Sequence, residues 1–358
     1  MRRFGFLLLW LLLAPVVLAQ DRVVHVYNWT DYIDPAAIAR FQRETGITVR
    51  YDVFDSLETL EGKLSAGHSG YDVIVPTSEP TFARLIRAGA LLPLDRARLP
   101  HFAGLDPALM ARVQGSDPGN LYGAIYLWGT TGLGMVPARI KALFPNAPMD
   151  SWDLLLKPEN ARRIAGCGIT LMDSATDTIP TVLKYLGRDP NSTDANDLAA
   201  VEKTLMAIRP FIRNFASSGA VEALASGQIC LAMTYSGDVI QAAARAAKGV
   251  AVQYVAPREG AQLSFDMLAI PKDAPHPAEA LAFIDFVLRP DVMAGITNQV
   301  RYPNAIPASR PAIRAEITAD PNIYPPPDAF GRFFTVTAVP QAAERARTRM
   351  WSRFKAGR

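Results

Sequence analysis

Four consecutive residues near the start of the chain, Trp29, Thr30, Asp31 and Tyr32, gather an indole, a hydroxyl, a carboxylate and a phenol. That combination suits a cation, which a carboxylate neutralises and an aromatic face attracts by roughly 0.5–2 kcal/mol. The plainer alternative is a solvated loop, because exposed aromatics are common on protein surfaces, with Asp31 the acid of an Asx-turn. Signals for covalent or metal chemistry are missing. His25, His68, His101 and His276 are scattered without metal-ligand spacing. Gly132-Leu133-Gly134 lacks the third glycine and the strand-to-helix setting of a dinucleotide loop. No G-x-S-x-G elbow, P-loop or H-E-x-x-H occurs, and no cofactor or metal is expected.

The elements around the aromatic stretch explain why it matters. Val23, Val24 and Val26 read as a buried strand, and Asp34-Pro35 supplies an N-cap with proline at the first helical position. Residues 29–32 then fall in a strand-to-helix loop, at the carboxyl end of a sheet where open α/β folds bind ligands. The rhythm continues. A helix over Pro35 to Glu44, a strand over Ile47 to Phe54, a helix over Leu57 to Leu64 and a strand over Tyr71 to Val75 make a βαβαβ unit with a parallel sheet. Thr77, Ser78 and Glu79 occupy the next strand-to-helix loop, beside the first.

Leu121 to Met135 is strand-rich and ends in a glycine-punctuated stretch, after which the rhythm restarts in what reads as a second lobe. Helices are expected at Ser151 to Leu156, Thr178 to Leu186, Asp194 to Ile208 and Ala220 to Ala225. Short buried strands are expected at Gly168 to Met172 and Gln228 to Tyr235. Val250 to Val255 reads as a second crossing strand and Leu263 to Ile270 as a strand of the first lobe. Helices at Pro277 to Leu288, Pro290 to Thr297 and Gln341 to Phe354 complete the pattern.

Arg2 and Arg3, the apolar run from Phe4 to Val17 and the small residues before Gln20 have the form of a cleaved secretory signal over residues 1–19. With 358 residues, 49% apolar and 20% charged, the chain is long enough for about two domains. Its formal charge of +3 falls to about +1 once Arg2 and Arg3 leave, which argues against nucleic acid or an anionic membrane as partner. An exported chain meets an oxidising compartment, so Cys167 and Cys230 are expected to pair, two buried free thiols being the alternative.

The segments NWTDYI, YDVIVPTS, YLWGTTGLG, CGITLMDS, VLKYLGRDPNS, YSGDVIQA, SFDMLAIP, LRPDV and NIYPP occur in one collinear order. Together they resemble the periplasmic polyamine-binding proteins of ABC transporters, especially the putrescine-binding branch. The resemblance spans nearly the whole chain after the signal. It implies an α/β, two-lobe type II periplasmic-binding-protein fold with crossing hinge strands. The lobes would be residues 20–134 plus 255–303 and residues 135–254 plus 304–358. The resemblance places the ligand in the cleft between the lobes. By position the resemblance implies ligand contacts from Trp29, Thr30, Asp31 and Tyr32 in the first loop, and from Thr77 or Ser78 in the second. It adds Asp177, one methylene shorter than the family's usual glutamate, and Tyr235, where the family carries tryptophan, with the acid Asp238. Asp266 keeps a further acid, Ser264 replaces the aromatic two residues before it, and Tyr302 keeps a late aromatic.

A diammonium ligand needs a carboxylate near each end, because an unpaired buried ammonium costs several kcal/mol. Asp31, Asp177, Asp238 and Asp266 are suited to that role, although Asp238 after Ser236-Gly237 also reads as a helix N-cap. Trp128 lies in a strand and is open between core and ligand wall. The implied function is a monomeric periplasmic receptor that delivers a polyamine of the putrescine/spermidine class to an inner-membrane ABC permease and its ATPase. A receptor for a different amine or an amino acid, or an exported enzyme on the same scaffold, are the alternatives.

Overall fold

The computed structural model describes residues 22–65, 67–216 and 219–357, so the leader expected over residues 1–19 lies outside the described residues. The chain opens with β1 (Val23–Trp29), whose Val24, Val26, Tyr27 and Asn28 are buried. Asp34 accepts a hydrogen bond from the Ala36 amide and starts the Pro35–Thr45 helix. Gly46, at φ 68°, ends it in the left-handed region that glycine tolerates. β2 (Thr48–Phe54) and β3 (Val73–Ile74) flank β1 in parallel. The expected βαβαβ unit is therefore present.

The remaining strands are β4 (Leu91–Leu92), β5 (Gly123–Met135), β6 (Ile169–Leu171), β7 (Asn214–Phe215), β8 (Leu231–Tyr235), β9 (Gln253–Val255) and β10 (Gln262–Pro271). They form one sheet in the order β2-β1-β3-β10-β5-β8-β6-β7, with β4 on β10 and β9 on β5. Buried along its whole length, β5 joins the two halves. Its residues Gly123 to Thr131 pair with β10, and Thr131 to Met135 pair with β8. Two apolar cores meet along this strand: Ala124 to Trp128 lie in the first, Leu133 and Met135 in the second. Glycine at 132 is required here, because a Cβ would stand 2.4 Å from Tyr254 Oη and 2.5 Å from the Val255 carbonyl.

Two expectations on the crossings are corrected. The segment Val250 to Val255 does not cross: β9 pairs only with Leu133, Gly134 and Met135, inside the second half. The return to the first half runs through the residues that follow it and through β10. Residues 304–358 do not all join the second half either. Ala305, Ile306, Ile313, Ile317, Ile323, Tyr324 and Phe333 pack in the first core. Backbone bonds fix them there, from Asp106 N to Ala305 O (2.8 Å) and from Trp128 N to Pro303 O (3.0 Å). Thr335 and Thr337 then bond to Asn191 of the second half, and the Gln341–Ala356 helix buries Met350, Trp351 and Phe354 in the second core.

Trp128 is a core residue. Its indole N–H donates to Asn304 O (3.1 Å), and its ring meets Tyr324 and Phe330 edge-on. Cys167 precedes β6, Cys230 precedes the parallel neighbour β8, and the two are joined by a disulfide across a Cα separation of 5.5 Å. Closing a loop of that length stabilises by about 4 kcal/mol in the chain-entropy account.

Candidate functional site

Where the two halves meet, three carboxylates each receive a hydrogen bond from a phenol. Tyr32 donates to Asp266 Oδ2 (2.7 Å), Tyr302 to Asp238 Oδ1 (3.0 Å) and Tyr235 to Asp177 Oδ2 (3.1 Å). Asp266 lies at a bulge in β10, where the register on β5 shifts between Phe265 and Met267. Such a bulge re-aims a side chain, and the Asp266 carboxylate also accepts from Thr77 Oγ1 (2.8 Å). Of the two hydroxyls left open in the second loop, Thr77 is therefore the one that orients an acid. Ser78 is buried beside Ser264 in the wall of a small cavity.

Asp238 sits in the first turn of the Ser236–Ala244 helix, not at its N-cap, and its bond from Tyr302 spans the two halves. Gly237 makes that bond geometrically possible. A Cβ there would lie 1.8 Å from the Tyr302 ring, so only glycine lets the ring lie against the helix start. Tyr32 and Tyr302 meet edge-on at 4.9 Å, which brings the Asp266 and Asp238 pairs side by side. Asp177, the most enclosed of the acids, accepts also from Ser174 Oγ (2.6 Å), Thr131 Oγ1 (3.2 Å) and Gln262 Nε2 (3.1 Å).

Burial dominates the electrostatics of this cluster. It pushes the carboxyls of Asp238 and Asp266 up to about 6, against the hydrogen bonds from Tyr302 and Tyr32 that favour the ionised form. The Asp177 carboxyl is raised by burial in the same way. The phenols of Tyr32, Tyr235 and Tyr302 are held well above their usual range, first by burial and then by the neighbouring carboxylates. The phenols stay neutral donors. Among the described residues, no cationic side chain bonds to any of these three carboxylates.

Trp29 tilts against Phe54 at 4.6 Å, and its buried indole N–H is one of the groups that favour the ionised Asp266 carboxyl. Two first-loop residues lie apart from the acid cluster. Thr30 is exposed and donates to Phe54 O (3.3 Å). Asp31 has φ 54°, which turns it outward; its side chain is 63% exposed and pairs with Arg245 Nη2 at 3.3 Å. Asp31 is thus a rim residue, joined across the junction to the end of the Ser236–Ala244 helix. Arg245 carried no motif and was invisible from the sequence. Gln262 and Thr131, which complete the Asp177 shell, had one usable signal: Gln262 stands two positions before Ser264 on a strand of period two.

Comparison with known proteins agrees with this architecture. Residues 36–325 match the family model for bacterial extracellular solute-binding proteins. A putrescine-binding periplasmic protein of Pseudomonas aeruginosa is 45% identical over 367 residues, covering 100% of both chains. A second, from Escherichia coli, is 45% identical over 345 residues, with 95% of this chain and 93% of the other covered. Among solved structures, the spermidine/putrescine ABC transporter substrate-binding protein of Streptococcus pneumoniae superimposes with a TM-score of 0.81 at 26% identity, covering 94% of this chain and 99% of that one. Two lobes of mixed α/β structure around a junction lined with acids define a solute-binding protein, and the chain belongs to the bacterial extracellular solute-binding family.

Proposed function

We propose that this protein is a periplasmic receptor that closes its two lobes over a short polyamine, putrescine foremost, and delivers it to an inner-membrane ABC permease. The lobes in this reading are the two halves on either side of the β5 crossing, with residues up to Phe333 in the first and the Gln341–Ala356 helix in the second. One observation carries the reading: Asp177, Asp238 and Asp266 are enclosed at the junction, each bonded to a neutral phenol, with no cationic side chain bonded to any of them among the described residues. Three acids taken out of water without counter-charge are costly alone and favourable once ammonium groups replace the missing charge.

Trp29, Tyr32, Tyr235 and Tyr302 supply faces against which a methylene chain and its terminal ammonium groups pack. The relatives named for putrescine support the same ligand class. An enzymatic role has no support in the cluster, since its hydroxyls donate to carboxylates and none is paired with a histidine base. A thermal-shift screen of putrescine, cadaverine, spermidine, agmatine and neutral amino acids tests the reading. Stabilisation by the amines and none by the amino acids is the expected result; the reverse order contradicts it.

A further inference from the structure

Asp177 already has a full set of donors. Ser174 Oγ (2.6 Å) and Tyr235 Oη (3.1 Å) bond to its Oδ2, and Thr131 Oγ1 (3.2 Å) and Gln262 Nε2 (3.1 Å) bond to its Oδ1. An ionised carboxylate offers about four acceptor positions, so these bonds fill it. Asp238 and Asp266 are less crowded. The bonds from Tyr302 to Asp238 and from Tyr32 and Thr77 to Asp266 leave positions open on both. A ligand ammonium can bond directly to those two acids, whereas at Asp177 it meets a closed shell.

Gln262 carries the open acceptor at that end. It is 3% exposed, and its Oε1 is buried without a hydrogen-bond partner. The direction of the amide is fixed, because an ionised carboxylate only accepts and Gln262 must turn its amino group to Asp177. An acceptor left unmade in such a place is costly unless a donor arrives. Its position follows from the sheet, where Gln262 on β10 and Tyr235 on β8 both stand in register with Thr131 of β5 between them. Cross-strand partners face the same way. The three side chains form one row, and all three end on the Asp177 carboxylate. Oε1 shares a planar amide with the nitrogen that touches Asp177, so a cation bonded to Oε1 lies in the field of that acid.

We infer that Gln262 is a direct ligand contact: its side-chain carbonyl accepts from the ammonium at this end of the site, and Asp177 orients the amide and supplies the negative charge from behind it. This rests on the amine-binding reading and adds to it a residue that no motif marked. Gln262 then sets specificity, because a neutral acceptor backed by an acid selects a group that is both an N–H donor and a cation.

The test is calorimetric titration of putrescine at pH 7.5 into the wild type, Gln262→Met and Thr131→Val. Methionine keeps the length of the side chain and removes the carbonyl; valine keeps the shape of Thr131 and removes one donor to Asp177. Gln262→Met is expected to weaken putrescine binding about tenfold, through loss of a hydrogen bond to a charged group, and Thr131→Val at most about threefold. Equal losses would show that Gln262 only steadies Asp177, and no loss in Gln262→Met would show that the ammonium goes elsewhere; either result overturns the proposal. If Gln262→Met does not fold, Gln262→Glu decides the matter. Two carboxyls in contact do not both ionise, so one holds a proton at pH 7.5 and an arriving ammonium expels it. About one proton more than in the wild type is then released on binding, read from titrations in buffers of different ionisation enthalpy. Release equal to that of the wild type overturns the proposal. A wild type that does not bind putrescine is a different result, and sinks the amine-binding reading itself.

Discussion

Each enclosed carboxylate at the lobe junction carries its own phenol, and that pairing fixes how the site answers to protons. In the unfolded chain Asp238 and Asp266 titrate near 3.8, whereas in the folded protein burial moves both to about 6. Between those values the folded chain holds more protons than the unfolded one, so the contribution of these two acids to stability is present at low pH and lost as pH rises through 6. An ammonium ligand needs them ionised, and its binding must expel whatever protons they hold. Putrescine affinity is therefore expected to fall below pH 6, by about tenfold per pH unit for each acid that must ionise. Calorimetry in buffers of different ionisation enthalpy should find protons released at pH 5.5 and almost none at pH 8; no release at the lower pH would contradict the assignment. These acids were legible because the motifs around them are distinctive. The rim position of Asp31 was not legible, because a loop position does not reveal its backbone angle, here φ 54°. Arg245, its partner, is 214 residues away and no local pattern could join them.

Elements set the distances between these side chains. The long strand β5 belongs to both cores, and its glycines leave room for side chains from neighbouring strands. Gly237 does the same at the start of the Ser236–Ala244 helix, where Tyr302 lies against it. Gly237→Ala is expected to displace the Tyr302 ring and break its bond to Asp238. Putrescine affinity should then drop by about tenfold or more, and the apo melting temperature should fall as well, because the Tyr302 ring is buried in the first core. Unchanged affinity would show that Tyr302 does not shape the site. The strand-helix alternation of the first half was readable from hydrophobic period and capping residues. The two-residue strands and the pairing of β9 inside the second half were not, since strand pairing is chosen by tertiary neighbours more than by local preference. The disulfide was legible from compartment and composition. Thiol titration of denatured, unreduced protein is expected to find no free thiol, and two per chain would refute the bond seen between Cys167 and Cys230.

At the scale of the whole molecule, the contacts that join the lobes include the enclosed Tyr302–Asp238 and Gln262–Asp177 bonds, the exposed Asp31–Arg245 pair and the Arg84–Glu344 pair. Exposed ion pairs are worth about 0–1 kcal/mol and weaken with salt. The enclosed bonds are different, because each orients one of the junction acids and links the lobes at once. The two-lobe plan was legible from the βα rhythm stopping and restarting around Leu121 to Met135. The return of 305–333 to the first core was not, because its isoleucines are spaced across turns and short helices without a period. The most direct test of the central claim, an amine held between the lobes by enclosed acids, is calorimetric titration of putrescine at pH 7.5 into the wild type and Asp238→Asn. Asparagine keeps the shape and can still accept from Tyr302, but removes the charge. Affinity reduced by more than tenfold, with the apo melting temperature scarcely lowered, is the expected result; unchanged affinity, or a loss explained by a less stable fold, would contradict it.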